Sequence, residues 1–411
     1  MIAILALPTL TWCAYSLLHP AAKKNGDKLY KLVEVPVHAQ QASPSSPSSP
    51  WTMQESGTTA GLRGIDSVDG KTAWASGTSG TVLKTIDGGE HWQKCAVPDA
   101  DKDGATLDFR GVQAWDATTA IVMASGPGEK SRLYKTTDGC ISWDELVRNH
   151  DKGGFWDGVI KAYLDDGTHM LLLGDPVGSR FYLRRVNIGA GQYSTVLPLR
   201  LFAEPGAEDS LKANGDAGAF AASNSSLTLA GARIPRVSRL KPARADISIL
   251  FGTGGITGAA VYRTQGDDSA YKKSGDFKWS RWERIAVPMA GANASSGIFS
   301  IASHSGASLV AVGGDYEKPN ESVGTAAFSK DEGKTWIASA KPPHGYRSSV
   351  AWSEDLKAWI TAGTNGSDIS RDDGKTWQPL DDGNWNALSL PFVVGPKGRI
   401  ARLSASASLP K

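Results

Sequence analysis

Ser370-Arg371-Asp372-Asp373-Gly374-Lys375-Thr376-Trp377 is one of four near copies of the pattern Ser/Thr-x-Asp-x-Gly-x-x-Trp in a chain of 411 residues. The hydroxyl and the carboxylate of this pattern can bond the amides of a tight turn, and the glycine takes a positive φ that a side chain resists. The tryptophan is expected to fill the core between neighbouring sheets. The residues assigned these roles are Asp87 and Trp92, Asp138 and Trp143, Asp331 and Trp336, and Asp372 and Trp377. A repeat at this spacing predicts a propeller or a solenoid.

A second repeat divides the chain into units. Each unit opens with a short segment rich in small residues, which precedes a hydrophobic strand that ends in glycine. The openings are Leu62–Ile65, Phe109–Val112, Trp156–Val159, Ala219–Ala222, Ile298–Ile301, Tyr346–Ser349 and Trp385–Leu388. They predict seven units, numbered 1 to 7 below, and six is the alternative if unit 4 is irregular. Unit 7 has room for only three strands, and Trp51–Gln54 is expected to supply the fourth and cover the open edge.

The repeated turn resembles the Asp-box, or BNR, repeat of β-propellers, which occurs in sialidases, sortilin-type receptors and photosystem II assembly-factor-like proteins. Three of the four copies are complete, and the fourth has Cys140 in the glycine position. The resemblance implies an all-β, seven-bladed propeller over residues 51–404. It says little about function, because enzymes and binding proteins share this turn.

Composition limits the classes of partner. Lys and Arg total 44 against 42 Asp and Glu, and a net charge of +2 argues against nucleic acid as the main partner. The 46 glycines and 14 tryptophans are typical of many short strands joined by tight turns. We expect a monomer.

The N-terminal region reads as a leader. Residues 1–20 hold an apolar run that predicts a signal peptide or a membrane anchor, and residues 21–50 form a Ser/Pro-rich linker. Residues 405–411 are expected to be a tail. The protein is therefore expected outside the cytoplasm, as a periplasmic, secreted or membrane-anchored chain. Export makes a disulfide between Cys95 and Cys140 plausible, and two separate buried thiols are the alternative.

The candidate site is the mouth of the central channel. The repeated turns join third to fourth strands, so they are expected on the opposite face as scaffold. Three arginines at equivalent unit positions would favour a carboxylate, sulfate or phosphate group, and aromatic side chains would add stacking surfaces. The alternative is that these arginines pair with Asp157 and carbonyl groups and plug the channel. The expected mouth residues are Arg63, Arg110, Trp156, Asp157, Asp315, Tyr316, His344, Tyr346, Arg347, Trp385 and Asn386.

The sequence favours a binding or assembly module whose partner is an unidentified protein or an anionic ligand such as a carboxylate, a sulfated group or a glycan. Its runner-up is a sialidase-like glycoside hydrolase, which also gathers three arginines. Such an enzyme needs two positioned carboxyl groups, and no spacing pairs any two of Asp157, Asp175 and Asp315. No metal is expected, because no spacing of His, Cys and acidic residues suggests one, and no cofactor is expected.

Overall fold

A computed structural model describes residues 49–164, 167–188, 196–198, 211–231, 248–266, 279–304, 307–404 and 409. The expected leader, the linker before residue 49 and most of the tail lie outside the described residues. The described residues belong to one compact unit, Ser49–Lys411. Within them no helix has the length and apolarity needed to cross a bilayer.

The described chain is built from short antiparallel strands, with two single-turn 3-10 segments, Gly104–Thr106 and Gly128–Lys130. Unit 1 holds β2 (Leu62–Ser67), β3 (Ala73–Gly77), β4 (Val82–Thr85) and β5 (Gln93–Lys94); unit 2 holds β6 (Phe109–Ala114), β7 (Ala120–Ala124), β8 (Arg132–Thr136) and β9 (Asp144–Arg148). Unit 3 holds β10 (Trp156–Leu164), β11 (Gly167–Val177), β12 (Arg180–Asn187) and β13 (Val196–Pro198); unit 4 holds β14 (Leu227–Ala230), β15 (Ser248–Gly255), β16 (Ala260–Gly266) and β17 (Trp279–Ala286). Unit 5 holds β18 (Asn293–His304), β19 (Ser308–Asp315), β20 (Ala326–Ser329) and β21 (Ile337–Ala338); unit 6 holds β22 (Ser349–Ser353), β23 (Ala358–Gly363), β24 (Gly366–Ser370) and β25 (Gln378–Asp381). Unit 7 holds β26 (Ala387–Ser389), β27 (Phe392–Val394), β28 (Ile400–Leu403) and β1 (Trp51–Gln54).

Strand pairing runs consecutively outward within each unit. Units 4 and 5 are counted as one eight-stranded sheet because Gly254 pairs with Gly297 and Gly255 with Asn293 at their inner corner. The innermost strand of each unit contacts those of its two neighbours, and the contact between β2 and β26 closes the ring. In unit 7, β1 pairs with β28 in the register Trp51 to Leu403. The all-β propeller closed by an N-terminal strand, as expected from the sequence, is confirmed.

The core lies between units rather than at the centre of the ring. The buried apolar side chains of the described residues form seven clusters, each shared by two neighbouring units. Close packing also holds the inner strands together. A Cβ at Gly64 would lie 2.6 Å from Ser76 Oγ and 3.0 Å from the carbonyl oxygen of Arg110 in the next unit. Small residues therefore open the units because neighbouring backbones meet there.

The repeated turn has the same hydrogen bonds in all four copies. In unit 5 the Gly333 amide donates to Ser329 Oγ at 2.9 Å, and the Thr335 amide donates to Asp331 Oδ1 at 2.9 Å. Gly333 has a φ of 81°, and Cys140 occupies the same position in unit 2 with a φ of 70°. Cys140 is joined to Cys95, with the two Cα atoms 5.3 Å apart. The disulfide thus anchors the one copy that lacks the glycine.

The four tryptophans of the turns differ in burial. Trp336 and Trp377 are buried in the clusters against the preceding unit, and each donates its indole N–H to a carbonyl of its own turn. Trp92 and Trp143 are only partly buried. Their indole N–H groups donate instead to the preceding unit, to Gln54 Oε1 at 3.1 Å and to the Ala96 carbonyl at 2.9 Å. These two tryptophans therefore pack on the core between units, as expected, but they are only partly buried there.

Candidate functional site

Four innermost strands share one irregularity in their pairing. The pairing with the second strand skips one residue in units 1, 2, 3 and 5, and the skipped residues are Arg63, Arg110, Asp157 and Phe299. Such a β-bulge frees one side chain from the regular alternation and re-aims it. All four of these side chains line a single cavity at the channel mouth. The sequence repeat thus identified a real structural equivalence.

The cavity has a volume of about 480 Å³, which is within the range of small-ligand sites. Its floor comes from the segment that leads into unit 4. Ser223 Oγ donates to the Ser348 carbonyl at 2.5 Å, Asn224 Oδ1 accepts the Val159 amide at 2.8 Å, and Ser225 Oγ contacts Ser300 Oγ at 2.7 Å. One short segment therefore touches units 3, 5 and 6 and lies across the ring. The expectation that Ala219–Ala222 opens the inner strand of unit 4 was wrong, because that strand is β14 and these residues line the cavity.

The basic side of the cavity holds Arg63 and Arg110, which share one carboxylate. Arg110 Nε donates to Asp108 Oδ2 at 2.8 Å, and Arg63 Nε lies 3.5 Å from the same oxygen. Burial lowers the pKa of Arg63, Asp108 opposes this effect, and the positive charge of Arg110 adds to it. Two guanidinium groups against one carboxylate leave an excess of positive charge on this side of the cavity. Asp108 was not anticipated from the sequence, although it stands two residues before Arg110.

The acidic side of the cavity holds Asp157 and Asp175. Asp157 is only 1% exposed, and burial together with the nearby Asp175 raises its pKa well above the usual value. Its Oδ2 atom has no hydrogen-bond partner among the described residues. Asp175, which the pairing of β11 with β12 also skips, accepts the Ala219 amide at 3.0 Å. Burial raises the pKa of Asp175 as well.

Aromatic side chains form one wall. Phe220 and Phe299 stack with their ring centroids 3.9 Å apart, and Tyr346 meets Phe299 edge-on at 4.8 Å. Tyr346 is buried, and this burial raises the pKa of its phenol. Tyr316 is 49% exposed at the rim. Tyr316, Tyr346 and Asn386 therefore lie in the cavity lining, as do Phe220 and Phe299.

Arg347 does not reach the cavity, and its expected ligand role needs correction. Its side chain is fully buried, and its Nε donates to Asp368 Oδ2 at 2.6 Å while its Nη2 also contacts that carboxylate. Its Nη1 donates to the Tyr346 carbonyl at 2.7 Å and to Asn365 Oδ1. Arg347 precedes β22 and has no bulge, so its side chain turns into unit 6. Arg347 therefore has the structural role, pairing with an acid and carbonyl groups of the protein, that was the alternative to ligand binding.

Four further expected mouth residues have other contacts. Trp156 is buried and stacks on Tyr182, and Trp385 is buried beside Trp51. Asp315 accepts hydrogen bonds from Ser295 and Asn293, and His344 pairs with Asp368. None of these four residues is among the described residues that line the cavity. Large aromatic residues beside the bulges are core residues because strand alternation turns them away from the channel.

The described residues contain one group of three possible metal ligands, Asp87, Glu90 and His91. It lies on a repeated turn, where the carboxylate of Asp87 already accepts the His91 amide at 3.0 Å and the Thr85 hydroxyl at 2.8 Å. These hydrogen bonds explain the group as part of the turn.

The sequence matches no protein-family model and no curated protein. Solved structures resemble the fold. The structure "YCF48 bound to D1 peptide" aligns over 89% of this chain and 100% of its own, at 15% identity and a TM-score of 0.53. YCF48 from Cyanidioschyzon merolae aligns over 86% and 98%, at 16% identity and a TM-score of 0.53. The WD40 β-propeller domain of Doa1 aligns over 87% and 98%, at 10% identity and a TM-score of 0.50. At these identities the likeness shows the propeller fold alone.

Proposed function

We propose that this chain is a binding module that takes an acidic segment of a partner protein in the cavity at the channel mouth. The observation that carries the proposal is the local excess of positive charge at Arg63 and Arg110, whose one shared ion-pair partner among the described residues is Asp108. Guanidinium groups recognise carboxylates through paired hydrogen bonds, and partial burial strengthens such contacts. A protein of similar fold has been solved with a bound D1 peptide, which supports a peptide as the kind of ligand.

The proposal also includes the type of propeller. We interpret the four turns as Asp-box repeats and the chain as a binding module of the photosystem II assembly-factor-like type. The chain is placed outside the cytoplasm on the strength of residues 1–20, and it acts as a monomer. Detection of the natural chain in the cytoplasmic fraction would contradict the location.

Binding of an acidic segment can be tested with two dye-labelled pools of short peptides. One pool has glutamate at fixed positions, and the other has glutamine there. We expect the wild-type chain to bind the glutamate pool about tenfold more tightly at low salt, and the preference to shrink as salt rises. Arg110→Ala should lose the preference.

The matched control is Arg371→Ala, which removes the same charge from an exposed position on a repeated turn. This variant should keep the preference for glutamate. Equal binding of both pools by the wild-type chain, or equal losses in the two variants, would overturn the proposal.

A sialidase-like glycoside hydrolase is a second candidate because two carboxyl groups with raised pKa, Asp157 and Asp175, stand in a cavity with arginines. Glycosidases use such a pair, with one group kept protonated as the acid. Among the described residues, however, only two arginines line the cavity, since Arg347 is paired with Asp368. Release of the fluorophore from an aryl sialoside by the wild-type chain but not by Asp157→Asn would establish hydrolysis, and no release would favour binding.

A further inference from the structure

Asp157 is an unusual residue for its position. Its side chain is 1% exposed, it lines the cavity, and its Oδ2 atom has no partner among the described residues. Across those residues, no Lys, Arg or His nitrogen lies within ion-pair distance of Asp157 or Asp175, and Arg110 acts on Asp157 only from a longer distance. Burying a carboxyl group without a compensating partner costs stability. Either the fold tolerates this loss of stability, or a bound ligand offsets it.

The backbone does not demand an acid at this point. The equivalent bulge positions of units 1, 2 and 5 hold Arg63, Arg110 and Phe299, and all three side chains line the same cavity. The same β-bulge therefore accommodates a basic, an acidic or an aromatic side chain. We infer that an aspartate stands at position 157 because of what binds in the cavity.

Asp175 is built into the cavity beside it. Trp156 pairs with Gly174, and Asp157 and Asp175 directly follow these two residues on adjacent strands. The Ala219 amide fixes one carboxylate oxygen of Asp175, and a Cβ at Gly218 would lie only 3.0 Å from that oxygen. The glycine thus lets the floor segment close around Asp175.

We propose that Asp157 and Asp175 form a subsite for a cationic group, an ammonium or a guanidinium, on the same partner segment whose acidic group Arg63 and Arg110 bind. This inference rests on the proposed function and specifies the partner as a segment with charges of both signs. A bound cation would supply the missing partner of Asp157 and would stabilise the ionised form of both carboxyl groups.

The test adds a third peptide pool to the two described above. Its peptides keep the glutamates and carry lysine at further fixed positions, which hold glutamine in the original glutamate pool. We expect the wild-type chain to bind the glutamate–lysine pool about tenfold more tightly than the glutamate pool, because a desolvated charge pair forms. Asp157→Asn and Asp175→Asn should bind the two pools equally, while Arg110→Ala should weaken binding to both.

A second readout needs no ligand. Because the Oδ2 atom of Asp157 is buried without a hydrogen-bond partner among the described residues, Asp157→Asn should melt at the same temperature as the wild-type chain or higher, whereas loss of a structural acid would lower the melting temperature. If the wild-type chain prefers glutamate but is indifferent to lysine, or if Asp157→Asn melts several degrees lower, the cation subsite is overturned and the acidic-segment proposal stands. If no pool with glutamate binds better than the glutamine pool, the proposed function itself fails.

Discussion

Replacing Arg347 with alanine should damage the fold rather than a ligand site. Both Arg347 and Asp368 have fully buried side chains, and the guanidinium contacts this carboxylate through Nε and Nη2. Burial acts to raise the pKa of Asp368, but hydrogen bonds from His344 and Arg347 outweigh it and hold that pKa below its usual value. Removing the arginine leaves a buried carboxylate without its main partner.

The size of this effect follows from the burial. Breaking a buried ion pair by removing one partner costs ~3–5 kcal/mol. An unfolding entropy of about 2 cal/mol/K per residue converts that loss into a fall of ~5 °C in melting temperature for a folded region of this size. Arg347→Met combined with Asp368→Leu should recover much of the loss, because an apolar pair of similar volume leaves no buried charge.

Thermal unfolding followed by circular dichroism measures the effect, with Arg110→Ala and Arg371→Ala as matched controls at partly exposed and exposed positions. We expect these controls to melt within a degree or two of the wild-type chain. The reasoning would be refuted if Arg347→Ala also melted there and instead lost the preference for glutamate peptides.

Three further predictions concern the scaffold. Trp336→Ala should cost ~3–5 kcal/mol in urea unfolding, since this tryptophan fills the core between units 4 and 5, and an unchanged midpoint would contradict that role. In a Cys13→Ser chain, thiol titration after unfolding without reductant should find no free thiol, and detection of two would rule out the bridge between Cys95 and Cys140. The hydrogen bond from His344 to Asp368 raises the pKa of His344 above 6.5, so its contribution to stability should be complete below pH 6.5 and be lost as pH rises through the folded pKa. His344→Gln should flatten this part of the stability profile, and an unchanged slope would contradict the assignment.

The propeller could be predicted from the sequence because its evidence is local. Each repeated turn contains its own hydrogen bonds, such as the one from the Gly333 amide to Ser329 Oγ, so a short sequence pattern is enough to predict the turn. The openings of units 1, 2 and 3 likewise place an arginine or an acid directly before a glycine, and this is where the bulges occur. A repeating sequence pattern thus predicts both the turns and which side chains lie at the mouth.

Side-chain contacts at the site between residues far apart in the sequence could not be predicted. Arg63 and Arg347 occupy the same position of the sequence repeat, but of these two it is Arg347 that forms an ion pair with Asp368 on β24. The segment that forms the cavity floor has no strand pattern that would show where it runs, because its contacts are with Val159, Ser300 and Ser348 in other units. No spacing in the sequence brings Asp157 and Asp175 together, since it is the pairing of two adjacent strands that does so.

The bulges explain why function should lie on the inner strands of this propeller. A residue on a loop moves with the loop, whereas a bulge residue is held on both sides by paired strand, as Arg110 is between Phe109 and Gly111. Its side chain faces the cavity and not the core between units, so residues as different as arginine, aspartate and phenylalanine occupy this position. The units use this freedom for opposite charges, with Arg63 and Arg110 on one side and Asp157 on another. The cavity thus holds arginines on one side and, on another, a buried carboxyl oxygen without a hydrogen-bond partner among the described residues. This arrangement suits a ligand that carries both a negative and a positive group.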